Sequence, residues 1–240
     1  SLHVLMTPAS ARQFFSSLVN AIPGSRKLLF LPLSTRINVQ ARQAALTVYE
    51  TCQSTARKTH WSRWLPRVIA LKILEMQYAG LRQRYDNNPS AIGLCWNGLD
   101  RSRLLFSIAL KDAGRACMYA ELAPLPGFLT LDAKGVNFLS SLPRDADFYR
   151  RWLDQQPASE EWRSVGLQMS RRKVKVKRTI QSDKRPLPNG PFIFVPLQVP
   201  GDSQIRYFGD WITSMAHLIE TLHVASRNLP EGWHIRLKEH

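Results

Sequence analysis

The sequence predicts an α/β fold with a mainly parallel sheet and flanking helices. Two observations carry this. From Ala91 onward, short apolar runs closed by polar or turn residues alternate with stretches of helical spacing. Before them, Trp64, Val68, Leu71, Leu74, Tyr78, Leu81 and Tyr85 recur at steps of three and four, which places them on one helical stripe. Composition agrees: 44% of the 240 residues are apolar, with ten Phe and seven Trp, enough to build a core.

Taken in order, His3 to Met6 reads as a short strand, and Ser10 can cap a helix carrying Phe14, Phe15, Leu18, Val19 and Ile22. Pro23-Gly24 ends that helix, and Lys27 to Leu31 reads as a buried strand. Helices are expected over Val39 to Lys58 and Trp61 to Tyr85, the second packed on the core with a solvated basic face. Ala91 to Trp96, Cys117 to Ala120 and Phe128 to Leu131 read as strands running in one direction, with a helix from Arg101 to Ala113 between the first two. Asp145 to Gln155 reads as helix, Phe192 to Leu197 as strand, Asp210 to Arg227 as helix and His234 to Leu237 as strand. The expected organisation is a first domain over 1–160, a basic linker over 161–190, and the start of a second domain over 191–240.

The net charge of +15 is unevenly placed: residues 1–90 carry +9, 91–160 are neutral, 161–185 carry +7 and 186–240 carry −1. A basic surface attracts nucleic acid, anionic lipid or a phosphorylated substrate. No helix-turn-helix, zinc or RNP-type signature accompanies the charge, so no nucleic-acid partner is expected. For an anionic membrane partner, Arg63, Arg67, Arg82, Arg84 and the run Arg171 to Arg178 are expected to share one surface. No apolar run reaches the roughly 18 residues of a spanning helix, and no signal peptide is expected. Cys52, Cys95 and Cys117 stand far apart, which argues against a disulfide framework or structural zinc and fits a reducing cytosol.

Polar residues fall at the ends of the expected strands: Asn97 with Gly98, Glu121, Asp132, Gln198 and His240. In open α/β sheets the carboxyl edge is where ligands bind, although Asn-Gly and Asp are also ordinary turn residues. Phosphate-loop, dinucleotide and nucleophile-elbow motifs are missing. The six histidines form no i, i+4 pair and no acidic cluster gathers, so neither metal nor cofactor is expected.

The stretch Cys95-Trp96-Asn97-Gly98, then Tyr119-Ala120-Glu121, Leu125-Pro126-Gly127 and Leu131 to Asn137, resembles the capsule polysaccharide biosynthesis family. So do Phe194 to Ile205, which includes Gln198, Asp202 and Gln204, and the closing Leu237-Lys238-Glu239-His240. The resemblance implies a bacterial cytoplasmic protein acting at the inner membrane in capsule assembly. It implies two Rossmann-like domains of the GT-B glycosyltransferase type, and transfer of Kdo from CMP-Kdo to a lipid-linked acceptor. The family's closing motif continues into a proline where this chain stops, so the chain reads as a piece lacking most of the second domain, expected to be inactive alone.

A retaining double displacement needs a carboxylate nucleophile and a base for the acceptor hydroxyl. Glu121 and Asp132 are the acids at strand ends of the first domain, so one of them is the expected nucleophile. Asn97, Gly98, Gln198, Asp202, Gln204, Lys238 and His240 are the expected substrate-binding set, with Lys238 and His240 serving the CMP phosphate. The competing reading is a non-catalytic partner in capsule assembly or export.

Overall fold

A computed structural model describes residues 1–5, 9–53, 65–123, 128–156, 159–170, 188–199 and 202–239. The chain divides into two compact units, Ser1–Pro157 and Ala158–His240. The basic run Arg171 to Arg178, together with Arg63, Trp64 and His240, lies outside the described residues.

The first unit runs β1 (Leu2–Leu5), α1 (Ala9–Ala21), β2 (Arg26–Leu28), α2 (Val39–Gln53), α3 (Arg67–Asp86), β3 (Ile92–Trp96), α4 (Arg101–Asp112), β4 (Ala116–Leu122), β5 (Leu129–Asp132) and α5 (Ala146–Asp154). The strands form one sheet in the order β2-β1-β3-β4-β5. The first four are parallel, so the α/β class expected from the alternation is what the chain adopts. Period-two alternation sorts each strand onto two faces. Leu5, Cys95 and Tyr119 join Leu74, Tyr78, Leu81, Leu105 and Phe106 of α3 and α4 on one face, while Val4, Leu94, Trp96 and Ala120 meet Phe15, Leu18 and Val19 of α1 on the other.

The expected stripe on α3 is buried at Leu74, Tyr78, Leu81 and Tyr85, so this helix is a core element; Val68, at its first turn, is 77% exposed. Arg67 and Arg84 lie at opposite ends of the helix, and Arg82 pairs with Asp86 at 3.0 Å while bonding the Tyr78 hydroxyl.

Two strand expectations are corrected. β5 runs antiparallel to β4, with Leu122 opposite Leu129 and Tyr119 opposite Asp132. The physical reason is the connection: a parallel crossover needs about a dozen residues or more, whereas only six residues separate Leu122 from Leu129, and the Ala123 N–H donates to the Phe128 carbonyl at 3.1 Å. β2 ends at Leu28 rather than continuing as a buried strand to Leu31; Leu29 is 68% and Phe30 85% exposed. As an edge strand with one neighbour, β2 gives way to a loop that lies on α3, where the Ser34 N–H donates to the Met76 carbonyl at 2.9 Å. Gly80 makes this approach feasible, because a Cβ there would run into the Pro32 carbonyl.

The second unit contains α6 (Glu161–Ser170), β6 (Phe192–Pro196), α7 (Ser203–Phe208), α8 (Met215–Ser226) and β7 (His234–Lys238). Thus the first residues of the expected linker form a helix. β6 and β7 are parallel, in register from Phe192 opposite His234 to Pro196 opposite Lys238. The expected helix from Asp210 begins instead after Ser214, whose hydroxyl caps it by accepting the His217 N–H at 3.0 Å. Asp210 itself sits at φ 50°, in the left-handed region. Among the described residues of this unit none is fully buried.

Candidate functional site

At the carboxyl edge of the first sheet the described residues include the segments that leave β2 and β3. After β3, Asn97 and Gly98 both adopt left-handed backbone, at φ 41° and 78°. The Asn97 side chain closes the turn by accepting the Leu99 N–H at 2.9 Å, and its own N–H donates to the Ala120 carbonyl at 2.9 Å. A Cβ at Gly98 would stand 2.5 Å from the Tyr119 ring, so glycine is required there by space as well as by φ. Asn97 is therefore first of all a turn former that ties the ends of β3 and β4 together.

Glu121 lies next along this edge, in the last turn of pleat of β4, half-buried, with its Oε1 accepting the Leu122 N–H at 3.0 Å. Asp132 does not join it. Because β5 is reversed, Asp132 stands beside Tyr119, two residues back from Glu121, so the expectation that Asn97, Glu121 and Asp132 end strands of one direction fails at Asp132. Its carboxylate organises the following loop: one oxygen accepts the Lys134 and Gly135 N–H groups at 2.7 and 3.1 Å, the other the Ser141 N–H and hydroxyl at 2.8 and 2.7 Å. Desolvation pushes the Asp132 pKa up, but these donors outweigh it and hold the group down at about 2.

The sheet order places a topological switch between β1 and β3, where neighbouring connections leave to opposite faces and a crevice opens. A cleft of about 710 Å³ lies there, lined by Leu5, Leu29 to Leu31 and Leu33, by Ile73, Met76 and Gln77 of α3, and by Arg12, Asp100, Ser102 and Arg103. Asp100 caps α4 by accepting the Arg103 N–H at 3.1 Å, and its second oxygen holds the Arg103 guanidinium at 2.7 Å. Arg103 is thereby fixed, with only 15% of its side chain exposed, at a helix N-terminus whose first turn carries no acid. With Arg12 and Ser102 beside it, this end of the cleft suits an anionic oxygen, and the α3 side suits an apolar group. Sequence reasoning missed these residues. Their signal was Asp100 standing as a cap directly after an Asn-Gly turn at a strand end.

In the second unit, Gln198 follows β6 and Lys238 ends β7, and the Leu197 N–H donates to the Lys238 carbonyl at 2.8 Å, so the two stand side by side at the carboxyl edge. Asp202 caps α7 by accepting the Gln204 N–H at 2.7 Å, and its own N–H donates to the Val199 carbonyl at 2.9 Å. Gln198 and Lys238 are exposed, Asp202 and Gln204 half-buried. The expected second-domain set thus gathers around one strand-turn-helix edge, His240 lying outside the described residues.

Residues 156–240 match the family described as capsule polysaccharide biosynthesis protein. The resemblance read from the sequence is borne out over that segment; the stretch 90–142 lies outside the match. The chain is also similar to Protein FixF of Sinorhizobium fredii (strain NBRC 101917 / NGR234), 29% identical over 178 residues, covering 74% of this chain and 40% of the relative's length. No solved structure matches the chain. Among the described residues no helix is long and apolar enough to cross a membrane.

Proposed function

We propose, from the premise that residues 156–240 carry the sequence of the capsule polysaccharide biosynthesis family, that the protein is a glycosyltransferase of capsule assembly. The reading assigns it transfer of Kdo from CMP-Kdo to a lipid-linked acceptor, on a fold of the GT-B type. The observation that carries it is the gathering of Gln198, Asp202, Gln204 and Lys238 at the carboxyl edge of β6 and β7, within the matched segment. On this reading the Lys238 ammonium and the Gln198 amide hold the donor's phosphate and base. Glu121 attacks or deprotonates from the first unit, and the cleft at Arg12 and Arg103 takes the anionic part of the acceptor.

The test is transfer from labelled CMP-Kdo to a phosphatidylglycerol-linked acceptor, using the protein as its host expresses it. Glu121→Gln is expected to lower the rate about a hundredfold or more with donor affinity unchanged, and Lys238→Ala to weaken donor binding. Full activity in Glu121→Gln removes Glu121 from the reaction. Absence of both transfer and donor binding in the unaltered protein favours a non-catalytic role in assembly or export.

A further inference from the structure

Where β2 leaves the sheet, the chain puts three large apolar side chains into solvent: Leu29, Phe30 and Leu33 are 68%, 85% and 62% exposed. They do not sit on a slack loop. Leu31 between them is buried in the core, Pro32 lies against Gly80, and the Ser34 N–H is bonded to α3. The result is a ridge of fixed shape. On α3, Ile69, Ile73 and Met76 follow at i, i+4 and i+7, with Ile69 47% exposed and the other two facing the same cleft as the ridge. A contiguous apolar surface of this kind marks an interaction site.

The charges that flank it along the chain are basic. No Asp or Glu precedes Glu50 in the sequence, whereas Arg12, Arg26, Lys27 and Arg36 all do. Arg26 and Lys27 are exposed on β2 directly before the ridge, Arg36 is exposed directly after it, and Arg12 lines the cleft beside it. The carboxylates of neighbouring elements are already paired, Asp100 with Arg103 and Glu75 with Lys72. An apolar protein groove would accept the ridge without any need for the cations, and a nucleic acid would accept the cations without the ridge. An anionic bilayer accepts both, acyl chains taking the apolar side chains and lipid phosphates the cations.

We propose that the 29–33 ridge is a membrane-insertion element that seats the first unit on an anionic lipid surface, with Phe30 its deepest residue. This goes beyond the glycosyltransferase reading; it uses the rim of the cleft that reading gives to the acceptor, but its test reads vesicle binding and not transfer, so either can fail alone. It places the lipid-facing surface on the 29–33 loop rather than on the basic residues of α3.

The experiment is co-sedimentation of the full chain with vesicles of phosphatidylcholine alone and of phosphatidylcholine mixed with phosphatidylglycerol, at low and high salt. Binding is expected only with phosphatidylglycerol and is weakened by salt. Leu29→Ser with Phe30→Ser is expected to lower partitioning about tenfold or more, with thermal unfolding unchanged because both side chains are exposed. Lys27→Gln and Arg36→Gln are each expected to cost about fivefold. A basic run elsewhere could also bring the protein to the vesicles, so Phe30→Trp supplies a local readout. Its added fluorescence is expected to be quenched by brominated acyl chains. Three results overturn the proposal: no vesicle binding by the unaltered chain, binding with the Phe30→Trp signal unquenched, or a lipid-free dimer that Leu29→Ser with Phe30→Ser dissolves.

Discussion

In the first unit β3 reads Ile92-Gly93-Leu94-Cys95-Trp96, and the four residues after Ile92 are buried; in the second, β6 reads Phe192-Ile193-Phe194-Val195-Pro196, and not one is. The two runs are equally apolar to the eye. What separates them is company. β3 has β1 and β4 as neighbours and helices over both faces, whereas among the described residues β6 pairs only with β7. Phe192, Phe194 and Leu237 consequently remain 43%, 55% and 45% exposed. An apolar run specifies a strand, but burial is a property of the layers around it, and a two-stranded sheet supplies few of them.

The sharpest way to break this contrast is core truncation. Leu105→Ala, at a fully buried site on α4, is expected to cost roughly 2–5 kcal/mol, and Phe194→Ala less than about 1 kcal/mol, both read from denaturant unfolding. Equal costs would mean that β6 is packed as well as β3.

A smaller effect probes the first unit's closed interior by pH. His3 is buried on β1, and burial first, then the charges of Arg84 and Arg26, lower its pKa from 6.5 to about 4. The unfolded chain takes up that proton more readily, so stability present above pH 6.5 is lost as pH falls towards 4. Going from neutral pH to pH 5 is expected to cost about 2 kcal/mol through this group, and His3→Gln to remove that part of the acid sensitivity. An unchanged pH profile in His3→Gln would show that the ring is not held neutral. Smallest is Asp132→Asn, which replaces an acceptor by a donor facing the Ser141 N–H and is expected to cost about 1 kcal/mol. The folded Asp132 pKa lies below its ordinary 3.8, so its share of stability is present above that value and lost as pH falls towards 2. Loss of donor binding in this variant, with stability intact, would place Asp132 at the donor.

Much of the first unit was legible because its signals are local. The spacing of Leu74, Tyr78, Leu81 and Tyr85 carries α3, and the alternation within His3-Val4-Leu5 sorts β1 between its two faces. Strand direction was not local: it depended on how few residues join β4 to β5, and that short connection reversed Asp132. The strand-end positions of Glu121 and Gln198 were legible as polar residues closing apolar runs, while Lys238 came from the family resemblance. Arg12 and Arg103 were not, because they are charges on helices of a basic chain, and only the sheet order shows that both face one crevice.

The turn at Asn97-Gly98 also bears on how the molecule ages. Asn-Gly is the dipeptide most prone to deamidation, in which the glycine nitrogen attacks the asparagine side-chain carbonyl to form a succinimide. Here the Gly98 N–H is held by the Trp96 carbonyl at 2.6 Å, and the Asn97 Oδ1 by the Leu99 N–H. The attacking nitrogen and its target are each pinned elsewhere, so the reaction must wait for the turn to open. Isoaspartate accumulating at position 97 would therefore serve as a slow clock for how often the junction of β3 and β4 comes apart.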